Sequence, residues 1–493
     1  MSINVDDVNG RKNISLHQSK DIDTSKCIRK VANIERLFLW SPECTVSMVT
    51  RIKGDISKEG LRRAIFEVTQ MHPLVGAKIV FDNDYNAWFS NEGVPEPNLK
   101  IVSRFSDKQW FEELQKEIQT PFNLEEGPMI KFILIYSENI SDLIIMCNHS
   151  ICDGMSLANL VRDLFNRYAN PEQEIKAIYP PNIMDLLPID GFSLTSILFK
   201  LIVYRADKKW KKSPYYFNQS DCNAIQTEFW KNKQIGKVLL ELEPHETKYL
   251  SKQCKKNGVT IGSAVTAAFI AAHEDIMDPF EKSKKQVSIP FDLRRHAKTP
   301  VEDVFCFCVG ASRFSFKYNS KKSFWKNALD LHKEIHKRVV KLDTNGLKLP
   351  DYDPTLLDAV SCFGLFKDTL PDAYTKTENL KKFSQDTENV AFSFAKIYDS
   401  KVPGTIPSNL GKLSIHETYG DLRIDRIIFL PSIGDSVPLT IGGISIGDRS
   451  VFSLNYTEPK GENNSATLEK IQIRNRALKY LGFPDKASEN AIV

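Results

Sequence analysis

The sequence predicts an α/β protein built as two sandwiches side by side. Three observations lead there. The chain has 493 residues, too many for one hydrophobic core and enough for two ordinary domains. Each half mixes strand-like and helix-like segments in a similar way. A strand that is apolar on both faces, 143–147, runs straight into a loop and then an amphipathic helix, as a central buried strand does.

Taken in order, residues 1–26 are polar and charged, without the apolar stretch of a leader peptide, and read as a disordered tail. A first subdomain is expected over 27–178. Residues 61–68 place apolar side chains at helical spacing, and the helix ends before His72-Pro73 because the residue ahead of proline resists helical geometry. A strand is expected over 75–81. The runs 129–136 and 143–147 read as a hairpin around a polar turn. The helix that follows presents Leu157, Leu160, Val161, Leu164 and Phe165 on one stripe.

Prolines at 180, 181, 188 and 214 mark 179–226 as a crossover linker. Within it, the apolar segment 192–204 leads into Lys208, Lys209, Lys211 and Lys212. It is too short to span a bilayer. It reads either as a helix packed over the junction or as a peripheral membrane contact through 192–212. The second subdomain covers 227–484, with 485–493 as a tail. A strand at 237–242 precedes helices at 244–256 and 261–276, the second capped by Thr260 and rich in small residues. A strand at 287–290, a helix at 323–340, several strands between 413 and 456 and a closing helix at 467–481 complete it. Gly442, Gly443 and Gly447 read as turns among those strands.

Hydrophobic residues make up 42% and charged residues 26%, as in ordinary globular proteins. A net charge of only +4, without a nucleic-acid motif around the basic clusters, argues against nucleic acid as a partner. The nine cysteines are odd in number and scattered, which favours free thiols in a reducing, cytoplasmic setting. Cys306-Phe307-Cys308 is a poor zinc signal, and His332 and His336 lack the HExxH pattern, so no metal is expected.

The strongest chemical signal is His149 with Asp153 and Gly154, set between the buried strand and the helix. A general base needs a neutral imidazole near pH 7, which histidine supplies. The same residues also fit a packed loop histidine with an N-capping aspartate. Cys152 lies in the loop too, and reads as a packed small side chain.

The chain resembles the thioester-dependent acyltransferase superfamily of chloramphenicol acetyltransferase. Its nearest branches are condensation domains, fungal-type alcohol acetyltransferases and mycobacterial polyketide-associated acyltransferases. The likeness runs over about 28–481. It rests on Ile34-Glu35-Arg36-Leu37, on 61–74 ending in His72-Pro73-Leu74, on the HxxxDG loop, on 258–261, on 290–294 and on Ser408-Asn409-Leu410-Gly411. It implies two chloramphenicol-acetyltransferase-like α/β sandwich subdomains with a tunnel at their interface and His149 in its middle.

By this resemblance His149 is the general base, and Asp153 pairs with Arg294 to shape the loop without relaying protons. Gly154 permits a tight backbone path and clears the channel. Asn148, which replaces the first of the family's two adjacent histidines, is grouped with Ser408 and Asn409 as channel-lining or oxyanion candidates. The segment 305–310 departs from the glycine and asparagine common in relatives. The resemblance further implies acyl transfer from acyl-CoA, a co-substrate and not a bound cofactor, to a small-molecule or lipid-like hydroxyl acceptor. Its rivals are a free-standing condensation enzyme using carrier-bound acyl groups to form an amide, and a non-catalytic lipid- or partner-binding relative. A monomer is expected.

Overall fold

The computed structural model describes residues 22–187, 194–277, 280, 285–301, 303–340, 352–461 and 465–486. Most of the expected tails 1–26 and 485–493 lie outside these residues. Two six-stranded sheets carry the architecture. The first runs, edge to edge, Thr418–Tyr419, Leu422–Leu430, Thr45–Lys53, Ile140–Asn148, Ile130–Tyr136 and Leu99–Ser103. The second runs Val309–Ser315, Gln286–Asp292, Thr405–Lys412, Leu439–Ile446, Arg449–Pro459 and Lys233–Leu242. A small three-stranded sheet, Arg29–Lys30, Ala87–Ser90 and Lys78–Phe81, sits beside the first.

Strand Ile140–Asn148 is central and buried along almost its whole length. It pairs antiparallel with Ile130–Tyr136 as the expected hairpin and with Thr45–Lys53 on its other side. Helices Lys58–Met71 and Gly154–Ala169 pack together over this sheet. Ser57 caps the first, accepting from the Gly60 N–H at 3.1 Å. In the second body, helix Ile261–Ile276 buries Ala264, Ala267, Ala268, Ala271 and Ala272. Their small side chains let helices Phe324–Val340 and Ser465–Leu481 approach closely.

Several expectations are corrected. The strand expected from residue 75 begins at Lys78, because Pro73 opens a 3₁₀ turn, Pro73–Gly76. Gly442 and Gly443 lie inside strand Leu439–Ile446, not in turns. A β-carbon on Gly442 would sit 2.5 Å from the Phe429 carbonyl oxygen, so glycine there allows two strands to cross closely. Between the expected helix at 323–340 and the strands from 413, where no element was expected, the chain forms helices Glu378–Gln385 and Val390–Asp399. The sequence boundary at 226/227 falls inside helix Gln219–Asn232. Nor is it a boundary of the architecture. Strands Thr418–Tyr419 and Leu422–Leu430 cross back from the second half and extend the first sheet beyond Thr45–Lys53.

Candidate active site

His149 is the first residue after the central strand. Its backbone N–H donates to the Cys44 carbonyl at 2.9 Å, which ties the loop to the neighbouring strand. The ring's Nδ1 lies 2.7 Å from the Cys152 carbonyl oxygen. A carbonyl only accepts, so Nδ1 carries the hydrogen and Nε2 keeps its lone pair. That tautomer is the one a general base needs. The ring packs against two aromatic rings, Phe38 at 4.6 Å and Phe307 at 5.2 Å between centroids, which also touch each other at 5.1 Å. Burial pushes the imidazole below the ordinary histidine value, against the opposing pull of the Cys152 hydrogen bond and the Asp153 charge. The residue as a whole is half-buried.

Asp153 caps helix Gly154–Ala169, accepting from the Ser156 N–H at 2.7 Å. Its other oxygen accepts from Arg294 Nη1 at 2.9 Å and from the Cys308 N–H at 2.8 Å. Arg294 stands just past strand Gln286–Asp292 of the second body, so this buried pair joins the two bodies beside the histidine. Burial opposes the guanidinium charge, but Asp153 and its neighbours outweigh that and hold Arg294 firmly protonated. Arg294 Nη2 also donates to Ser156 Oγ at 2.5 Å and to the Cys306 carbonyl at 3.2 Å. Ser156 Oγ accepts from the Cys306 N–H at 3.1 Å. Ser156 and the 306–308 segment are therefore part of the clamp, and neither was identified from sequence. A serine one turn into a capped helix gives no hint of a partner 150 residues away.

Gly154 is needed for space and not for an unusual backbone. A β-carbon there would lie 2.7 Å from Phe429 Cζ and 2.8 Å from Leu410 Cδ2. Asn148 does not line the large cavity at the interface. Its Nδ2 donates to the Leu39 carbonyl at 3.1 Å, and its Oδ1 accepts from the Ser150 N–H at 3.0 Å and hydroxyl at 2.6 Å. These bonds build the loop and turn the amide away from an oxyanion role.

That cavity, of about 260 Å³, is lined from both bodies. Asp153, Gly154, Met155, Thr266, Ser408 and Asn409 are among the lining residues. Asn409 is held by two glycines: a β-carbon on Gly262 would meet its Nδ2 at 2.2 Å, and one on Gly443 its Oδ1 at 2.8 Å. Its Oδ1 accepts from the Gly411 N–H at 3.0 Å. His149 is not among the residues lining this cavity, whereas Asp153 and Gly154 of its own loop are. The cavity reaches the same loop at Asp153 and Gly154, and the Phe38 and Phe307 rings pack on the histidine.

The remaining candidates are structural. Cys152 is fully buried, and burial raises its thiol well above the ordinary value, so it makes a poor nucleophile. All nine cysteines are free, with Cys306 Sγ and Cys308 Sγ 2.8 Å apart. His332 Nδ1 lies 3.0 Å from Ser263 Oγ, so it braces two helices. Among the described residues no cluster of three or more His, Cys, Asp or Glu is placed to hold a metal ion. Nor is any described helix long and apolar enough to cross a membrane.

Residues 34–181 match the sequence model of the condensation-domain family. The chain is 25% identical over 230 residues to a component of the linear gramicidin synthase of Brevibacillus parabrevis, covering 45% of this chain and 4% of that protein. It is 24% identical over 257 residues to the beauvericin nonribosomal cyclodepsipeptide synthetase of Beauveria bassiana, covering 49% and 8%. The chain thus spans only a small fraction of the length of these curated relatives. Among solved structures, TRI3 trichothecene 15-O-acetyltransferase from Fusarium sporotrichioides superposes with a TM-score of 0.58 at 15% identity, over 91% of this chain and 94% of that one. Polyketide synthase associated protein 5 from Mycobacterium tuberculosis gives 0.56 at 15%, over 92% and 98%. The first condensation domain of the CDA synthetase gives 0.55 at 13%, over 94% and 98%. At such identities the likeness shows the fold.

Proposed function

Taking as premise that the chain belongs to the chloramphenicol-acetyltransferase-like superfamily, whose fold it shares, we propose that it is an acyltransferase with His149 as its general base. The observation that carries this reading is the Nδ1 contact with the Cys152 carbonyl, which leaves Nε2 unprotonated in a loop whose Asp153 and Gly154 line an interface cavity. In the reaction, Nε2 takes the proton of an acceptor hydroxyl as its oxygen attacks the thioester carbonyl. The tetrahedral intermediate then breaks its carbon–sulfur bond, and the imidazolium returns the proton to the departing thiolate. No acyl-enzyme forms, and the scheme calls on no metal or cofactor.

The donor we assign is acyl-CoA and the acceptor a small, lipid-like alcohol. Asp153 and Arg294 act by holding the loop. Ser408 and Asn409, which face the cavity, are the side chains available to donate to a developing oxyanion. The hydroxyl acceptor is chosen on the likeness in fold to TRI3, a trichothecene 15-O-acetyltransferase. The condensation-domain match over 34–181 favours a second reading, amide formation from a carrier-bound acyl group.

The test is thiol release by the purified protein across a panel of acyl-CoA lengths, with alcohols and amines as acceptors, set against acyl-carrier donors. Turnover with acyl-CoA and an alcohol supports the first reading. Turnover with carrier donors and amines alone moves the assignment to the second. If no donor releases thiol beyond the His149→Ala background, the chain is a binding relative.

A further inference from the structure

We propose that the outward face of helix Leu194–Trp210, with its neighbour Val390–Asp399, is a docking surface for an anionic lipid bilayer. From residue 201 onward the helix divides cleanly. Val203, Ala206, Asp207 and Trp210 are buried, and at 3.6 residues per turn they fall on one side. They are fastened there: Trp210 Nε1 donates to Thr355 Oγ1 at 2.8 Å, and Asp207 Oδ1 accepts from the Asp353 N–H at 3.2 Å.

The opposite side is exposed and graded along the axis. Leu201, Ile202 and Tyr204 come first, at 50%, 48% and 64% exposure. Arg205, Lys208, Lys209, Lys211 and Lys212 follow, all exposed. Between residues 201 and 212 the one acidic side chain, Asp207, points inward. Lys209 reaches the Glu388 carbonyl at 2.9 Å and Lys211 lies 4.0 Å from Asp353, yet both remain exposed.

The Lys209–Glu388 bond brings the C-terminal end of one helix to the start of the other. Ile397, at 49% exposure, adds apolar surface on that second helix, together with an exposed Lys396 and a single exposed acid, Asp399. Aliphatic side chains and tyrosine beside a cationic turn are what an interfacial segment presents. The apolar end would enter the acyl boundary while the lysines lie at anionic headgroups.

The experiment is flotation of the full chain with phosphatidylcholine vesicles, with and without phosphatidylserine. Binding to the serine-containing vesicles is expected. It should fall more than about tenfold in Lys208→Glu/Lys212→Glu and in high salt. Leu201→Ser/Ile202→Ser should also lose binding, while Leu468→Ser, at an equally exposed site of 49%, should keep it. Thermal unfolding of each variant checks that it is folded. The proposal is overturned if the wild-type chain floats with neither vesicle, or if the Leu201/Ile202 variant floats like wild type. It is also overturned if that variant abolishes self-association or protein capture with no change in flotation.

Discussion

Each of the two bodies holds a histidine whose basicity burial lowers, and the contrast between them separates the imidazole proposed as the base from a packed one. His273 sits in helix Ile261–Ile276, only 7% exposed, stacked on Phe280 at 4.0 Å with the rings 8° from parallel. Burial, with Lys470 nearby, pushes its pKa down to about 4, and its Nδ1 has no hydrogen-bond partner among the described residues. His149 is also lowered by burial. But it stands at a strand end, its tautomer is fixed by a carbonyl, and it is partly open. Depressed basicity alone therefore marks nothing. Depressed basicity with an assigned proton and an open edge is the combination on which the proposed base rests.

The sharpest way to break this contrast is to remove each ring. His149→Ala should lower kcat by roughly 10²–10⁴-fold in the thiol-release assay. His273→Leu should leave kcat near wild type. Equal losses would erase the distinction.

The next effect concerns the clamp. Asp153→Ala or Arg294→Ala strands a buried charge and should cost about 3–5 kcal/mol, seen as a lower denaturant midpoint at unchanged slope. The double variant should cost less than the sum of the two.

A third test uses pH. His273 is held neutral in the fold, so the stability it protects is present above about pH 6.5, its unfolded value, and is lost as pH falls toward 4. His273→Leu should flatten that acid decline by on the order of 2 kcal/mol. Gly154→Ala must displace Phe429 and Leu410 and should cost about 1–3 kcal/mol.

The smallest effect is the most specific to catalysis. Opening the aromatic flank with Phe38→Leu should admit water to His149. The acid limb of the pH–rate profile, lying below the ordinary value in the wild type, should rise toward about 6.5. A limb that stays in place would remove Phe38 from any part in tuning the base.

Much of this site was legible because its signals are local. A buried strand, an N-capping aspartate and a helical stripe lie within 25 residues, and they fix where His149 must stand. Helices such as Pro244–Lys256 announce themselves through proline and Asn257-Gly258 at their ends. The Asp153–Arg294 contact came from resemblance, since nothing local links residues 141 apart. Phe38, Phe307 and Ser156 escaped for the same reason. Their roles come from contacts between elements distant in sequence, and single aromatic or hydroxyl residues carry no pattern. Helices Glu378–Gln385 and Val390–Asp399 were missed because they are about two to three turns long, too short for periodicity to stand out. The glycine pair at 442–443 misled because glycine marks turns and close packing alike.

The returning strand Leu422–Leu430 sets a schedule for synthesis. Strand Thr45–Lys53 leaves the ribosome early with one edge unfilled, and its partner along that edge is made nearly 400 residues later. At the usual ~5–20 residues per second that is a wait of tens of seconds. Throughout it, a strand buried along nearly its whole length in the finished protein offers open backbone to any neighbour. Chaperone demand during translation should be concentrated in that interval, and shortened chains that stop before residue 422 should aggregate where the full chain does not.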